Sequence, residues 1–301
     1  MLSGAGEEEV LRAAMVDFIG YFIRCPKEGL ILASSKPPVL KTSVRPKKNL
    51  GQHFLRDQQI ARRIVELYNG HGQPGLLIEI GPGTGVLTQF LLENPGVPFL
   101  AMDVDAESID YLQAAYPANA SQFVLSDFLR WNPQEAGISR LSVIGNFPYN
   151  ISSQIFFHLL EMPAEVCEVV CMLQREVARR IAAGPGSKEY GILSVLLQSR
   201  FRISYAFTVD EHVFQPPPKV KSGVIRLERL EDKELKCRFS ALVKVVKQAF
   251  NMRRKTLRNA LKPMGIPTGL EGSPLLERRA EELSVEEFEQ LTLEFELAGK
   301  V

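Results

Sequence analysis

Three polar residues stand directly after apolar runs of the sequence, and their types suit the binding of a nucleoside. Asp103 and Asp127 follow the second and third runs, and Asn146 follows the fourth. Asp103 lies 22 residues after Gly81, about where a doubly wound sheet places the acid that accepts hydrogen bonds from ribose hydroxyls. An aspartate that only caps the next helix is the alternative, and that role suits Asp105 better than Asp103. The repeated placement predicts a ligand site at the carboxyl ends of parallel strands.

Asn146 opens an Asn-Phe-Pro-Tyr segment at the end of the fourth apolar run, where carbonyl groups could accept hydrogen bonds from an amine of a ligand. The Asn146 side-chain carbonyl and the backbone carbonyl of Phe147 or Pro148 can accept from that amine, and proline offers no competing donor. Tyr149 and, further along the chain, Phe214 can sandwich an unstacked base. A turn-forming Asn-x-Pro with aromatic residues in the core is the structural alternative.

A glycine-rich turn, Gly-Pro-Gly-Thr-Gly, follows the first apolar run. Gly81 and Gly83 carry no Cβ atom, so a nucleotide-bearing ligand can approach the backbone there. The spacing is Gly-x-Gly-x-Gly and not the dinucleotide pattern Gly-x-Gly-x-x-Gly, and an ordinary strand-turn-helix would also explain it. The glycine turn is therefore interpreted as part of a ligand site only together with the polar residues at the later strand ends.

Hydrophobic periodicity predicts an alternation of strands and helices up to about residue 230. The predicted strands are 77–80, 98–105, 123–125, 141–145, 166–173, 201–207 and 222–228. The predicted helices are 58–68, with Asp57 as its cap, and 86–92, 151–160, 174–183 and 190–198. This alternation predicts an α/β fold with a mostly parallel sheet. Beyond about residue 235 the pattern is helical only.

These patterns divide the chain into three parts. They are an extension at 1–40, an α/β domain at 41–232 and a small all-helical domain at 233–301. Within the extension, the apolar stretch 15–23 is too short to span a bilayer and lacks the basic flank of a secretory signal. We expect the extension to be poorly ordered, and a short helix that packs on the domain is the alternative.

Composition limits the classes of function. The chain has 301 residues and a net charge of +1, so a nucleic acid must be held by a local basic patch. The four cysteines form no Cys-x-x-Cys pair and the four histidines are scattered, so we expect no metal site. Reduced thiols in a cytoplasmic protein are the plain interpretation.

Two segments are rich in basic residues and poor in acids. Residues 41–63 contain a single acid, and residues 239–261 contain none. Such runs most often form solvated faces, but a basic helix this free of acids is also a plausible contact with a phosphate backbone. The candidate RNA-binding residues are Lys47, Lys48, Lys247, Arg253, Arg254, Lys255 and Arg258. The acidic stretch 271–294 is expected on the far side of the helical domain.

Five motifs resemble, in order and spacing, those of the small-subunit ribosomal RNA adenine dimethyltransferases, the kasugamycin-sensitivity enzymes. They lie at residues 48–55, 79–85, 146–150, 214–222 and 250–256. The resemblance covers roughly residues 44–297. It implies a Rossmann-like class I methyltransferase domain and S-adenosylmethionine as the methyl donor. It also implies a substrate of two adjacent adenines in the 3′-terminal hairpin loop of the small-subunit RNA, and an immature small subunit as the partner of a monomeric enzyme.

The resemblance also implies roles for individual residues. Asn146, Pro148, Tyr149 and Phe214 would receive the target adenine. The residues implied at the cofactor are Gln52, His53, Leu55, Gly81, Gly83, Asp103, Val104, Asp127, Phe128 and Asn146. Three positions depart from the usual family residues, because His53 stands for asparagine, Asp103 for glutamate and Phe147 for leucine. Asp103 is one methylene shorter than glutamate, so its reach to both ribose hydroxyls is the least secure assignment.

Two other functions stay open at this point. The large-subunit RNA dimethyltransferases that confer macrolide resistance share the same chemistry, although the Arg253-Arg254-Lys255 segment and the substantial C-terminal part favour the small-subunit family. A binding protein, such as an assembly checkpoint or a transcription-factor paralogue, would not need methyl transfer. The intact glycine turn and the Asn-Phe-Pro-Tyr segment favour retained catalysis.

Overall fold

A computed structural model describes residues 44–47, 50–93, 96–162, 165–231 and 233–301. Within these residues the strands form two sheets, one of two strands and one of seven. The strands are β1 (Phe54–Leu55), β2 (Leu77–Ile80), β3 (Phe99–Asp103), β4 (Phe123–Leu125), β5 (Arg140–Asn146), β6 (Glu165–Gln174), β7 (Phe201–Val209), β8 (Phe214–Gln215) and β9 (Ser222–Arg229). The extension at 1–40 and Lys48 lie outside the described residues.

The seven-stranded sheet has the order β4-β3-β2-β5-β6-β9-β7. The first five of these strands run parallel, and β9 lies antiparallel to both β6 and β7. The prediction of a mostly parallel sheet is confirmed. The chain order reverses direction between β2 and β5, which is the point where open parallel sheets form a ligand crevice.

Six helices of the described residues connect these strands, and three more follow the last strand. The first six are α1 (Gln58–Val65), α2 (Thr88–Leu92), α3 (Ala106–Ala115), α4 (Ser152–Glu161), α5 (Arg175–Ala182) and α6 (Ile192–Gln198). The last three are α7 (Phe239–Asn251), α8 (Leu257–Leu261) and α9 (Val285–Leu297). Asp57 caps α1 as predicted, because its side chain accepts from the backbone N–H groups of Gln59 and Ile60.

Successive side chains of the sheet point to opposite faces and pack into two separate hydrophobic cores. In β2, Leu77 packs into one cluster with α1 and α2, while Ile78 packs into the other cluster on the opposite face. The second cluster continues without a break into the C-terminal helices through Leu242 and Phe288, both fully buried. The helices after residue 233 therefore share a core with the sheet, and the division of the chain at that residue stays a prediction.

One predicted element is wrong. A continuous basic helix over 239–261 does not form, because α7 ends at Asn251 and α8 begins at Leu257. The basic triplet Arg253-Arg254-Lys255 lies in the turn between them. Thr256 bridges to Arg279 in extended conformation, which carries the chain out of the helical path before α8 begins.

Candidate functional site

A cavity of about 230 Å³ opens where β2, β3 and β5 end. Residues from four strand ends and from the segment before α1 line it. The lining residues are Leu50, Gly51, Gln52, His53, Phe54, Gly81, Gly83, Asp103, Val104, Asp127, Leu129 and the run 146–151. The predicted clustering of Asp103, Asp127 and Asn146 is thus confirmed.

The glycine turn forms the floor of this cavity. Gly81, Gly83 and Gly85 have φ values of 66°, 56° and 81°, a conformation that favours glycine. A Cβ atom at Gly83 would lie 2.7 Å from Cε1 of the Phe54 ring. Only glycine fits between the turn and that ring, so the Phe54 ring packs directly on the backbone of the turn.

Two buried acids lie behind and beside the turn. Asp103 is 7% exposed, and burial raises its pKa to about 6 although the backbone N–H of Asp105 donates to its Oδ1 at 2.9 Å. Burial raises the pKa of Glu79 to about 8, and its Oε2 accepts from Thr88 Oγ1 at 2.7 Å. Neither acid has a cation partner among the described residues, and Asp103, which lines the cavity, can accept from neutral donors there, whereas Glu79 does not line the cavity.

Asn146 is fixed in orientation by the segment that covers the cavity. Its Nδ2 donates to the backbone carbonyl of His53 at 2.9 Å. This bond uses the donor end of the amide and leaves Oδ1, which accepts from none of the described residues. Asn146 therefore presents a hydrogen-bond acceptor at the end of β5.

Tyr149 and His53 form a stacked pair beside Asn146. Their ring centroids are 5.5 Å apart with an angle of 30° between planes. The Tyr149 hydroxyl lies 2.5 Å from Ser222 Oγ, and burial raises the pKa of Tyr149. His53 Nδ1 lies 2.8 Å from the carbonyl oxygen of Pro216. The His53 contact joins the segment that covers the cavity, residues 50–54, to the proline loop at residues 215–220.

A second, wider groove of about 990 Å³ begins at the same place. It shares Gly51, Gln52, His53, Tyr149 and Asn150 with the cavity. Its other walls are Pro46, Gln174 and residues 215–220 of the proline loop. A ligand in the cavity and a ligand in the groove would meet at the His53–Tyr149 pair, and Asn146 lines the cavity on one side of that pair.

Three predicted site residues lie in the core and line neither space. Leu55 and Phe214 are 2% and 3% exposed and pair across β1 and β8, which turns both side chains into the cluster under the site. Phe128 is 4% exposed and stacks on Trp131 at 6.3 Å. These three side chains face neither the cavity nor the groove in this structure, and their predicted roles at a ligand stay predictions.

Phe54 and Leu129 line the cavity, each next to a predicted residue, Leu55 and Phe128. Phe54 belongs to the predicted motif at residues 48–55 but was not named as a cofactor residue, and its aromatic side chain within that motif was the signal for it. Phe54 and Leu55 are successive residues of a strand and point to opposite sides, so only one of them faces the cavity. Leu129 lies in a turn after Asp127 and was missed.

Most of the predicted RNA-binding residues have partners within the protein. Arg253 Nη2 donates to the backbone carbonyl of Lys188 at 2.7 Å, and Arg258 Nη2 lies 2.6 Å from Glu277 Oε1. Lys247 Nζ lies 4.9 Å from the centroid of the Phe157 ring.

Three further RNA-binding predictions have different outcomes. Lys47 Nζ lies 2.5 Å from Asp105 Oδ1, beside the cavity-lining residues Asp103 and Val104. Arg254 and Lys255 are exposed and form no ion pair with a described residue. Lys247 is also exposed but lies over the Phe157 ring, so among the described members of the set Arg254 and Lys255 are the cations most available to a phosphate.

The described residues contain no group of three or more His, Cys, Asp or Glu side chains that could hold a metal ion. Among the same residues, no helix is long and apolar enough to cross a membrane. Cys167, Cys171 and Cys237 are buried free thiols.

Comparison with known proteins gives one family and close relatives. The family described as ribosomal RNA adenine dimethylase matches residues 44–296. The ribosomal RNA small subunit methyltransferase A of Cytophaga hutchinsonii is 51% identical over 249 residues, which are 83% of this chain and 96% of that protein. The protein of the same name from Parabacteroides distasonis is 50% identical over 251 residues, 83% of this chain and 94% of its own.

Solved structures share the fold at lower identity. A dimethyladenosine transferase from Plasmodium falciparum superposes with a TM-score of 0.69 and 22% identity, covering 82% of this chain and 98% of that one. The 23S rRNA methyltransferase ErmE superposes with a TM-score of 0.59 and 22% identity, covering 79% and 99%. The class I methyltransferase fold with a helical C-terminal part is thereby confirmed.

Proposed function

Because this chain belongs to the ribosomal RNA adenine dimethylase family, we propose that it dimethylates N6 of two adjacent adenines in small-subunit ribosomal RNA. The target is the loop of the 3′-terminal hairpin, and S-adenosylmethionine is the donor. The observation that carries the proposal is the orientation of Asn146, whose amide donates to the His53 carbonyl and leaves its oxygen as an acceptor in the cavity that Tyr149 also lines.

The residues that line the cavity suit the proposed cofactor in their hydrogen-bonding groups. Gly81 and Gly83 line the cavity without side chains, which suits the methionine part. Asp103 can accept from the ribose hydroxyls, and Asp127 from the adenine amine of the cofactor. Gln52 and Phe54 cover the opening from the other side. When bound there, S-adenosylmethionine supplies an electrophilic methyl group.

The protein's main task in this reaction is to position a poor nucleophile. The N6 lone pair of adenine is delocalised into the ring, and a hydrogen bond from the amine to Asn146 Oδ1 draws the nitrogen toward sp³ geometry. The Pro148 carbonyl already accepts from the N–H of Ile151 at 3.2 Å, so the Phe147 carbonyl is the second acceptor. In-line alignment of this kind can supply about 7–11 kcal/mol of barrier reduction.

Tyr149 can hold the base by stacking, which is worth about 1–3 kcal/mol per base. His53 stacks on this ring in the structure, so we place the target adenine in the groove beside the pair. Loop bases are already partly unstacked, which lowers the cost of bringing one to Tyr149. No general base is needed, because the amine becomes strongly acidic on methyl transfer and its proton can leave to water.

A second methylation requires the monomethylated amine to return to the same place after cofactor exchange. The groove has a larger volume than the cavity and meets it at Tyr149, which gives room for one N-methyl group. Arg254 and Lys255 are the exposed cations that we assign to the RNA backbone. A monomeric cytoplasmic enzyme that acts on immature small subunits completes the proposal.

The experiment that tests this function is a mapping of transferred methyl groups. The purified protein is incubated with labelled S-adenosylmethionine and with separated small and large subunits that lack the modification. We expect label on N6 of two adjacent adenines near the 3′ end of the small-subunit RNA. Label confined to large-subunit RNA would refute the assigned substrate, and binding of small subunits without any label would favour a non-catalytic assembly factor.

A further inference from the structure

A charged cluster at the rim of the cofactor cavity joins the covering segment to the sheet. Lys47 Nζ lies 2.5 Å from Asp105 Oδ1 and 3.7 Å from Glu107 Oε2. Gln52 Nε2 donates to Asp105 Oδ2 at 3.1 Å, and its Oε1 accepts from the backbone N–H of Lys47 at 2.9 Å. Lys47, Gln52 and Asp105 thus close a ring of hydrogen bonds across more than fifty residues of sequence.

Asp105 is the centre of this ring and is only 2% exposed. It also caps α3, because its Oδ1 accepts from the N–H of Glu107 at 3.0 Å. Burial acts to raise its pKa, but the hydrogen bonds from Lys47 and Gln52 outweigh that effect and hold the pKa below its ordinary value. The same hydrogen bond raises the pKa of Lys47. Both groups are therefore charged when the ring is formed.

The ring touches the cavity on both of its sides. The backbone N–H of Asp105 donates to Oδ1 of Asp103, the acid that we assign to the ribose. Gln52 is followed directly by His53 and Phe54, which form the outer wall of the cavity. Asp105 therefore links Asp103, the acid assigned to the ribose, to residues 52–54. We expect that wall of the cavity to open when the cofactor is exchanged.

We propose that Lys47, Gln52 and Asp105 form a latch that holds residues 50–54 over the cofactor, with Asp105 as a positioning residue. This inference rests on the proposed cofactor site. It gives Lys47 a role in cofactor retention in place of the RNA contact expected from the sequence. Each round of methylation requires the latch to open, since the spent cofactor leaves past residues 50–54.

Two substitutions open the latch in different ways. Lys47→Met keeps the length of the side chain and removes its charge, and Asp105→Asn keeps a good helix cap while weakening both contacts. We expect the dissociation constants of S-adenosylmethionine and S-adenosylhomocysteine to rise about tenfold in each variant, mainly through faster dissociation. RNA affinity and its salt dependence stay as in the wild type.

Lys255→Met is the matched control, because it removes one exposed lysine outside the latch. It should weaken RNA binding and reduce the salt slope while leaving cofactor binding unchanged. The latch is overturned if Lys47→Met behaves like Lys255→Met, or if neither latch variant changes cofactor binding.

A second measurement separates the latch from the proposed function. Amide hydrogen exchange of residues 50–54 is followed in cofactor-free protein, where the latch already exists. Faster exchange in Lys47→Met and Asp105→Asn than in the wild type supports the latch, and equal exchange refutes it. Failure of the wild type to bind S-adenosylmethionine would overturn the proposed function instead, whatever the exchange shows.

Discussion

The two ends of the central sheet carry similar acids in opposite surroundings. At the carboxyl ends of β2 and β3, Glu79 and Asp103 are buried without a cation partner among the described residues, and burial raises both pKa values. At the other end, buried Glu168 lies 2.7 Å from Arg226 Nε and accepts from the N–H of His71 at 2.9 Å. Glu165 there lies within 3.6 Å of Arg140.

This difference distinguishes acids that stabilise the fold through ion pairs from acids that are available to a ligand. A buried carboxylate repays its loss of water only when cations and donors surround it, as they surround Glu168. Asp103 folds without a cation partner and lines the cavity, so its carboxylate can accept hydrogen bonds from a bound molecule. Asp105 is the instructive exception at the ligand end, because its cation, Lys47, comes from the segment that covers the site.

The largest expected effect is on stability at the paired end. Glu168→Gln should lower the free energy of unfolding by about 3 kcal/mol, the low end for a broken buried pair, because Arg226 loses its buried counter-ion and keeps only the partly exposed Glu228 at 3.1 Å. The new amide would also set N–H groups against the backbone donors of residues 69 and 71. Chemical denaturation measures the loss, and the methylation rate of the folded fraction should stay within a factor of two or so.

Glu165→Gln is the control on the same strand. Its carboxylate is one-third exposed and its ion pairs are 3.5 Å and 3.6 Å long, so the expected loss is about 0–1 kcal/mol. Equal losses in the two variants would contradict the view that Glu168 acts through burial and pairing.

The next effect is on catalysis at the ligand end. Asn146→Ala should reduce the methylation rate by about 10²–10³, the range seen when one positioned hydrogen-bonding group is removed from a reacting centre. RNA affinity should be spared, because the amide contacts one exocyclic amine and no phosphate. Single-turnover methylation and filter binding separate the two quantities, and an unchanged rate would refute the assigned role.

A smaller effect is expected from pH. Ribose hydroxyls donate to the ionised carboxylate of Asp103, whose pKa burial raises to about 6. Protonation of that group competes with the cofactor, so affinity should be constant above about pH 7 and fall toward tenfold per unit below about pH 6. Asp103→Asn should bind more weakly and lose this slope. Calorimetric titration of the cofactor from pH 5 to 8 measures the affinity and its pH dependence. An identical pH dependence in the variant would mean that another group causes it.

The fold was largely predictable because its signals are local. Apolar runs placed β2, β4 and β5 to within a residue, and the residues that follow parallel strands must gather at one edge of the sheet. Asp103, Asp127 and Asn146 were found for that reason. The end of α7 was missed, because nothing in the helical pattern of residues 239–261 indicates the extended bridge of Thr256.

Side-chain partners were the part that sequence could not supply. The role of Lys47 depends on Asp105, 58 residues away in the chain, and that of Arg253 on carbonyls of a loop 65 residues before it. Whether Phe54 or Leu55 faces the cavity depends on the orientation of the two-residue strand β1. Its pairing with β8 fixes that orientation. Runs of basic residues predict which segments carry many cations. Which of these cations lack an ion-pair partner depends on the fold.

Amide hydrogen exchange with and without S-adenosylhomocysteine tests the contrast between the two ends most directly. The cofactor product should slow exchange in residues 50–54, 81–85 and 103–105, which surround the cavity. Residues 69–72, whose backbone donates to Glu168 at the opposite end, should exchange as before. Protection at residues 69–72 with none at 81–85 would contradict the assignment of the ligand site to the carboxyl ends of the strands.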